Sequence, residues 1–242
     1  MALTKVTTGT IASETIKSAN IEDGAIVNAD VNASAAIVAS KLSGVESGLT
    51  SVQNFTSSGT WTKPTGITKV IVEVQGAGGA GTKSSTNGNR QGGGGGGYAR
   101  KLLDVSSISS ATITVGSGGA GSTSSDTTGS NGGNSSWADG TNTITGSGGT
   151  AATASGYLTG EGGSGTGGDL NVTGVTGGTT TSAAYGGDSF LGYGGRNQYA
   201  SSRAGALDGV LGGGGAEVYA TYPAATHAGN GGDGIVIVTE YK

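Results

Sequence analysis

Beyond Gly76 the glycines fall in clusters, and that clustering excludes most ordinary ways of building a hydrophobic core. Only six of the 53 glycines precede residue 76, which leaves 47 in the last 167 residues. The clusters lie at 76–81, 92–97, 116–121, 146–149, 160–168, 174–178, 186–195, 212–215 and 229–234, separated by polar segments of variable length. Glycine adds no side-chain area and loses more backbone entropy on folding than other residues, about 0.5–1 kcal/mol each relative to Ala in regular structure. Dense backbone hydrogen bonding and oligomerisation are the two means of offsetting that cost in a chain with little apolar side-chain mass.

High glycine content has two common explanations, and neither fits. Collagen needs Gly at every third position, and no such register runs through the chain. A flexible linker has no strands, whereas this region keeps Ile113-Thr114-Val115, Ile235–Val238 and several tyrosines. Two folded readings remain. In one, the clusters are polyglycine-II helices, extended with three residues per turn and about 3.1 Å rise, whose sideways-pointing amides and carbonyls satisfy one another across a bundle. In the other, they are tight turns of a glycine-rich β-sandwich. The bundle is the preferred expectation, with the polar segments as loops projecting from its ends.

The chain before Gly76 is different. Val6, Ile11, Ile16, Ile21, Ile26 and Val31 are spaced by five, and Ile37 and Leu42 continue the pattern after a slip of one residue. A period of five matches neither helix nor simple strand and points to a solenoid or fibre. There are too few units for a solenoid standing alone, so either three chains share one axial core or the segment is an extended arm. Residues 34–53 read as a joint with a short helix ending near Gly44 or Gly48. Phe55–Trp61 and the alternating Val70, Val72 and Val74 read as strands around the turn Lys63-Pro64-Thr65-Gly66. The expected organisation is a repeat, attachment and trimerisation segment over 1–53 and a glycine-rich domain over 54–242. Trp137 and Phe190 are expected in the core and Trp61 at the junction of strand and glycine.

Composition narrows the function. Net charge is −4 with 12% charged residues, and no basic patch suits nucleic acid. Cysteine is absent and His227 is the only histidine, so disulfides and multi-histidine metal sites are excluded. Gly76–Gly81 matches the letters of a dinucleotide fingerprint, but the polar stretch after it lacks the required helix. Asp169, Asp188 and Asp233 each follow a glycine pair and read as turn residues. Catalysis by paired carboxylates would require Glu161, Asp169, Asp188, Asp208 or Glu217 to converge, and their spacing does not predict it. The expectation is a non-enzymatic protein with no cofactor and no metal.

The tyrosines suggest recognition instead. Tyr157, Tyr185, Tyr193, Tyr199, Tyr219 and Tyr222 lie in or beside the polar segments of the second half, with Arg196 and Arg203 among them. Tyr with Ser, Gly and Asn is the composition of adaptable binding loops. These eight side chains are the receptor-binding candidates, although each tyrosine also suits a thin core or an oligomer seam.

Phe55–Pro64, Val70–Gly79, the run Gly92–Gly97 followed by Tyr98-Ala99, Ile113–Gly119 and the closing Gly231–Val238 together resemble the glycine-rich domain of phage tail fibres and adhesins. Ile26–Leu42 also looks like repeats in fibre proteins of marine phages. The resemblance implies a mainly β and extended fold, trimeric, with short strands and polyglycine-II helices in the C-terminal domain. It further implies a virion protein, made in the host cytoplasm, that binds bacterial surface polysaccharide or outer-membrane protein. Its N-terminal segment would dock on a tail, baseplate or capsid protein. A decorating fibre without a specific receptor and a polysaccharide depolymerase are the alternatives.

Overall fold

A computed structural model describes residues 17, 19, 21–22, 25–26, 31–32, 35, 48–85, 90–154, 158–180, 184–196, 206–219 and 227–242. The chain divides into two units, Met1–Glu46 and Ser47–Lys242. In the first, Ala25 N donates to Glu22 O and Ala35 N to Asn32 O, two turns ten residues apart. Ile21, Ile26 and Val31 of the five-residue spacing are exposed within the single chain. The short helix expected over 34–53 lies largely outside the described residues, and Leu49–Phe55 is a strand.

The second unit is mainly β and contains two five-stranded antiparallel sheets. The first joins β1 (Leu49–Phe55), β3 (Lys69–Gln75), β6 (Tyr98–Asp104), β11 (Leu170–Val172) and β14 (Ile235–Tyr241), in the order β1-β14-β3-β6-β11. The second joins β2 (Gly59–Thr62), β7 (Ser110–Thr114), β8 (Ser135–Ala138), β9 (Thr143–Gly146) and β10 (Gly165–Thr166), in the order β10-β9-β8-β7-β2. The short pairs β4 (Lys83–Ser84) with β13 (Val218–Tyr219) and β5 (Arg90–Gln91) with β12 (Thr179–Thr180) lie outside both sheets.

Period-two alternation sorts the side chains. Val70, Val72, Val74, Val236 and Val238 face inward from the first sheet and meet Trp61, Ile113, Trp137 and Ile144 of the second. Full burial of such a side chain stabilises by about 1.5–3 kcal/mol, so this small sandwich holds most of the unit's apolar stabilisation. Trp137 is in the core as expected. Trp61 is not at the glycine junction. It packs on Trp137 with ring centroids 6.1 Å apart and donates through Nε1 to the buried Glu240 at 2.7 Å. Glu240 pairs with Val70, at the end of β3 remote from Gly76. Gln53 Nε2 at 2.7 Å and Ser51 Oγ also donate to that carboxylate, so its burial is compensated.

The glycine clusters leave the strand ends as extended runs, not as tight turns. Their hydrogen bonds repeat every three residues. Gly76 and Gly79 donate to Gly97 and Gly94, Ala77 and Ala80 to Gly133 and Ser130, and Gly78 and Gly81 to Gly232 and Gly229. The carbonyls of the same run accept from three further runs, at Gly119, at Gly149 and Ala152, and at Gly215 and Val218. Gly92–Gly97 repeats the pattern, donating to the runs at 175–178, 212–215 and 147–150. Each central run is thus bonded to six neighbours. At the periphery, Asp and Asn side chains stand in for missing carbonyls: Asn131 and Asn134 accept from Ala151 N and Gly148 N, and Asn230 and Asp233 from Gly121 N and Gly118 N. Asp188 accepts from Gly194 N in the same way.

A side chain cannot enter the centre of this array. A Cβ on Gly94 would fall inside the carbonyl of Glu161, backbone that has no room to yield. One buried side chain, that of Gln75, ties the array to the sandwich. Its Nε2 donates to Gly76 O, Gly96 O and Gly97 O at 2.9–3.1 Å, and its Oε1 accepts from Leu191 N. Gly94→Ala is expected to destabilise by about 1–3 kcal/mol or more through overpacking. Gly59→Ala, whose Cβ meets nothing within 4 Å, is expected to stay within about 0.5 kcal/mol. Paired denaturant titrations check the contrast.

Candidate functional site

Of the eight recognition candidates, Tyr157, Tyr199, Arg203 and Tyr222 lie outside the described residues, as does the side chain of Tyr219. Tyr185, Tyr193 and Arg196 are exposed on the run 184–196, where Tyr185 and Arg196 are in contact. Glycine determines how they are presented. Gly178 N donates to Tyr185 O, and the bare Cα of Gly178 lets the Tyr185 ring lie flat across the adjacent run, where a Cβ would strike it. The Arg196 guanidinium stands over the ring, 5.2 Å from its centroid. Arg196 Nη2 donates to both oxygens of Asp188, at 3.0 and 3.1 Å, while Gly194 N donates to Asp188 Oδ1 at 2.8 Å. Main chain therefore fixes the carboxylate, and the carboxylate and the ring in turn hold the guanidinium.

Tyr193 projects nearby with 58% of its surface exposed, and its carbonyl accepts from Val210 N. Phe190, expected in the core, is 54% exposed. It stacks on Tyr98 at 4.2 Å between centroids, as a lid over a ring that is itself buried. The sequence gives no warning of this, because Phe190 sits in a run that has no inward face. Val210 and Leu211, on the backbone run bonded to Tyr193 O, are exposed as well. The run thus offers aromatic faces, an anion held by backbone and a cation paired with it, a set suited to stacking and hydrogen bonding with a polar ligand.

A model of the glycine-rich domain matches residues 50–241. The chain belongs to that family. A search of the curated proteins finds no match. In this glycine-rich domain three of the five carboxylates named for paired catalysis have separate local partners. Asp188 serves Gly194 and Arg196, Asp208 accepts from Asn230 N, and Asp169 accepts from Leu102 N. A hollow of about 300 Å³ is lined by Thr128, Asn131, Thr150, Thr153, Leu158 and Glu161, mostly through their apolar atoms.

Beneath Phe190, burial and the hydrogen bond to Glu73 push the Tyr98 phenol well above its ordinary value. A raised phenol pKa means that the folded state holds the proton more tightly than the unfolded chain. The associated stability is complete below about pH 10 and is lost as the pH climbs through the folded value. Alkaline titration at the phenolate absorbance band should show one late-ionising tyrosine, absent in Tyr98→Phe. A Tyr98→Phe curve superimposable on the parent curve would refute the assignment.

Proposed function

We propose that this chain is a virion fibre protein that attaches to the bacterial host surface through the exposed side of its glycine-rich domain. Family membership and the resemblance to phage fibres motivate the reading. The observation that carries it is the Tyr185–Arg196–Asp188 group with Tyr193, presented on backbone-bonded runs. Such runs lock a loop's base without a large core, so the exposed side chains are free to serve binding. The three-residue repeat of hydrogen bonds, with six neighbours to a central run, supports reading the runs as polyglycine-II helices.

The N-terminal repeat serves as the trimerisation and attachment segment in this proposal. Ile21, Ile26 and Val31 are apolar, evenly spaced and exposed in one chain, a pattern that suits a core shared by three chains. The docking partner is a tail, baseplate or capsid protein, and the ligand is a surface polysaccharide or an outer-membrane protein.

Fluorescently labelled full-length protein should bind host cells. Tyr193→Ala and Arg196→Ala are each expected to weaken that binding about tenfold, about 1.4 kcal/mol, with unchanged thermal melting. Folded protein that binds no host cells would overturn the reading and leave a decorating fibre. Shortened polysaccharide after incubation would indicate a depolymerase.

A further inference from the structure

The outer face of the first sheet has a pattern that the binding surface does not use. Strand register arranges its side chains in transverse rows. The first row is Leu49, Tyr241, Lys69 and Asp104; the second is Val52, Thr239, Ile71 and Leu102; the third is Asn54, Ile237, Glu73, Arg100 and Leu170. A fourth row holds Ile235, Gln75, Tyr98 and Val172, and the segment Phe190–Leu191 covers it at Tyr98 and Gln75. Among the described residues of the glycine-rich unit, none covers the first three rows in the same way. Leu102 is 56% exposed, Val52 51% and Leu170 45%. A shallow hollow of about 310 Å³ opens on this face beside Ile71, Leu102 and Leu170.

The four charges in these rows alternate in sign like a checkerboard. Lys69 stands beside Asp104 in the first row, and Glu73 beside Arg100 in the third. The apolar row Val52–Thr239–Ile71–Leu102 runs between them. We infer that this face pairs with the same face of a second copy of the chain, related by a half-turn about an axis along that row. The rotation keeps each strand's position across the sheet and exchanges the first and third rows. Lys69 then lies over Glu73 of the second copy and Asp104 over its Arg100, while the apolar row packs on itself. A half-turn about an axis parallel to the strands between β3 and β6 also opposes unlike charges, but it leaves β1 with Val52 overhanging. The axis along the row sets β1, β14, β3 and β6 each over its own copy and leaves only Leu170 of β11 without a counterpart.

The area suits a specific though modest contact. Thirteen row positions, each about 4.8 Å by 6.6 Å, bury on the order of 800 Å² over two copies, the size of a weak or transient contact. The pairing does not depend on receptor binding, and it is separate from the three-chain assembly proposed for the repeat. Alone it gives two chains; combined with a three-fold repeat it gives six.

Sedimentation equilibrium of the full-length chain is the test. The expected result is an even number of chains, two or six, and a halved mass for Leu102→Glu with unchanged circular dichroism. The double variant Lys69→Glu/Asp104→Lys keeps an opposite-charge pair across β3 and β6 but sets like charge over like between copies. It is expected to weaken association at least about tenfold. An odd number of chains in the parent protein, an unchanged mass for Leu102→Glu, or undiminished association of the double variant would overturn the inference.

Discussion

Backbone hydrogen bonding between glycine runs is the interaction on which the rest of this molecule depends. A run that donates in three directions and accepts in three others satisfies nearly all of its polar groups with backbone, the Gln75 amide serving Gly76 O and Gly96 O. That is possible only where neighbouring backbones approach as closely as Gly94 and Glu161 do. The energies explain why such a domain still needs a sandwich. Each internal bond contributes about 0.5–1.5 kcal/mol net, and each glycine costs about 0.5–1 kcal/mol in backbone entropy relative to Ala. Fixing each residue's backbone costs about 1–2 kcal/mol besides, so the array does not stabilise the domain by itself. The surplus comes from the apolar face between the two sheets, where Trp61, Trp137 and the valines of β3 and β14 are fully buried.

The array and the sandwich therefore have to be registered to each other, and Gln75 is where this happens. It is the last residue of β3 and the one that precedes the first glycine run. An apolar side chain there would leave the carbonyls of Gly96 and Gly97 without the donor they now share. At the opposite end, Glu240 gathers donors from β1 and β2, joining the edge of one sheet to the edge of the other. The two buried polar side chains fix the ends of the sandwich, and its apolar middle supplies the stabilisation.

What the sequence revealed of this follows from which features carry a side-chain signature. The alternation of Val70, Val72 and Val74 announced a half-buried strand, and the closing Ile235–Val238 announced another. Their pairing with each other and with Leu49–Phe55 was not legible, because β1 and β14 lie at opposite ends of the unit and no local pattern records the contact. The short strands β8 to β11 were missed for a different reason: segments such as Thr143–Gly146 are rich in Gly, Ser and Thr and differ little from the loops around them. The order of the glycine runs is wholly silent in the sequence, since a backbone that bonds in every lateral direction needs no particular neighbour to be apolar. Phe190 was misjudged because aromatic residues usually mark a core, whereas here the ring closes over Tyr98 from outside.

The same logic bears on where function can reside. In a domain whose interior is main chain, substitution inside the array is nearly forbidden and substitution of outward side chains is nearly free. Tyr193 and Arg196 on the run surface, and Leu102 and Val52 on the sheet face, change no internal bond of the array when they change identity. A scaffold of this kind separates what must be kept from what can vary more sharply than a hydrophobic core does, because a core couples every buried side chain to its neighbours' volumes. Two surfaces can then diverge independently on one rigid body, one bearing aromatic rings and an ion pair, the other a neutral checkerboard of charge around an apolar row.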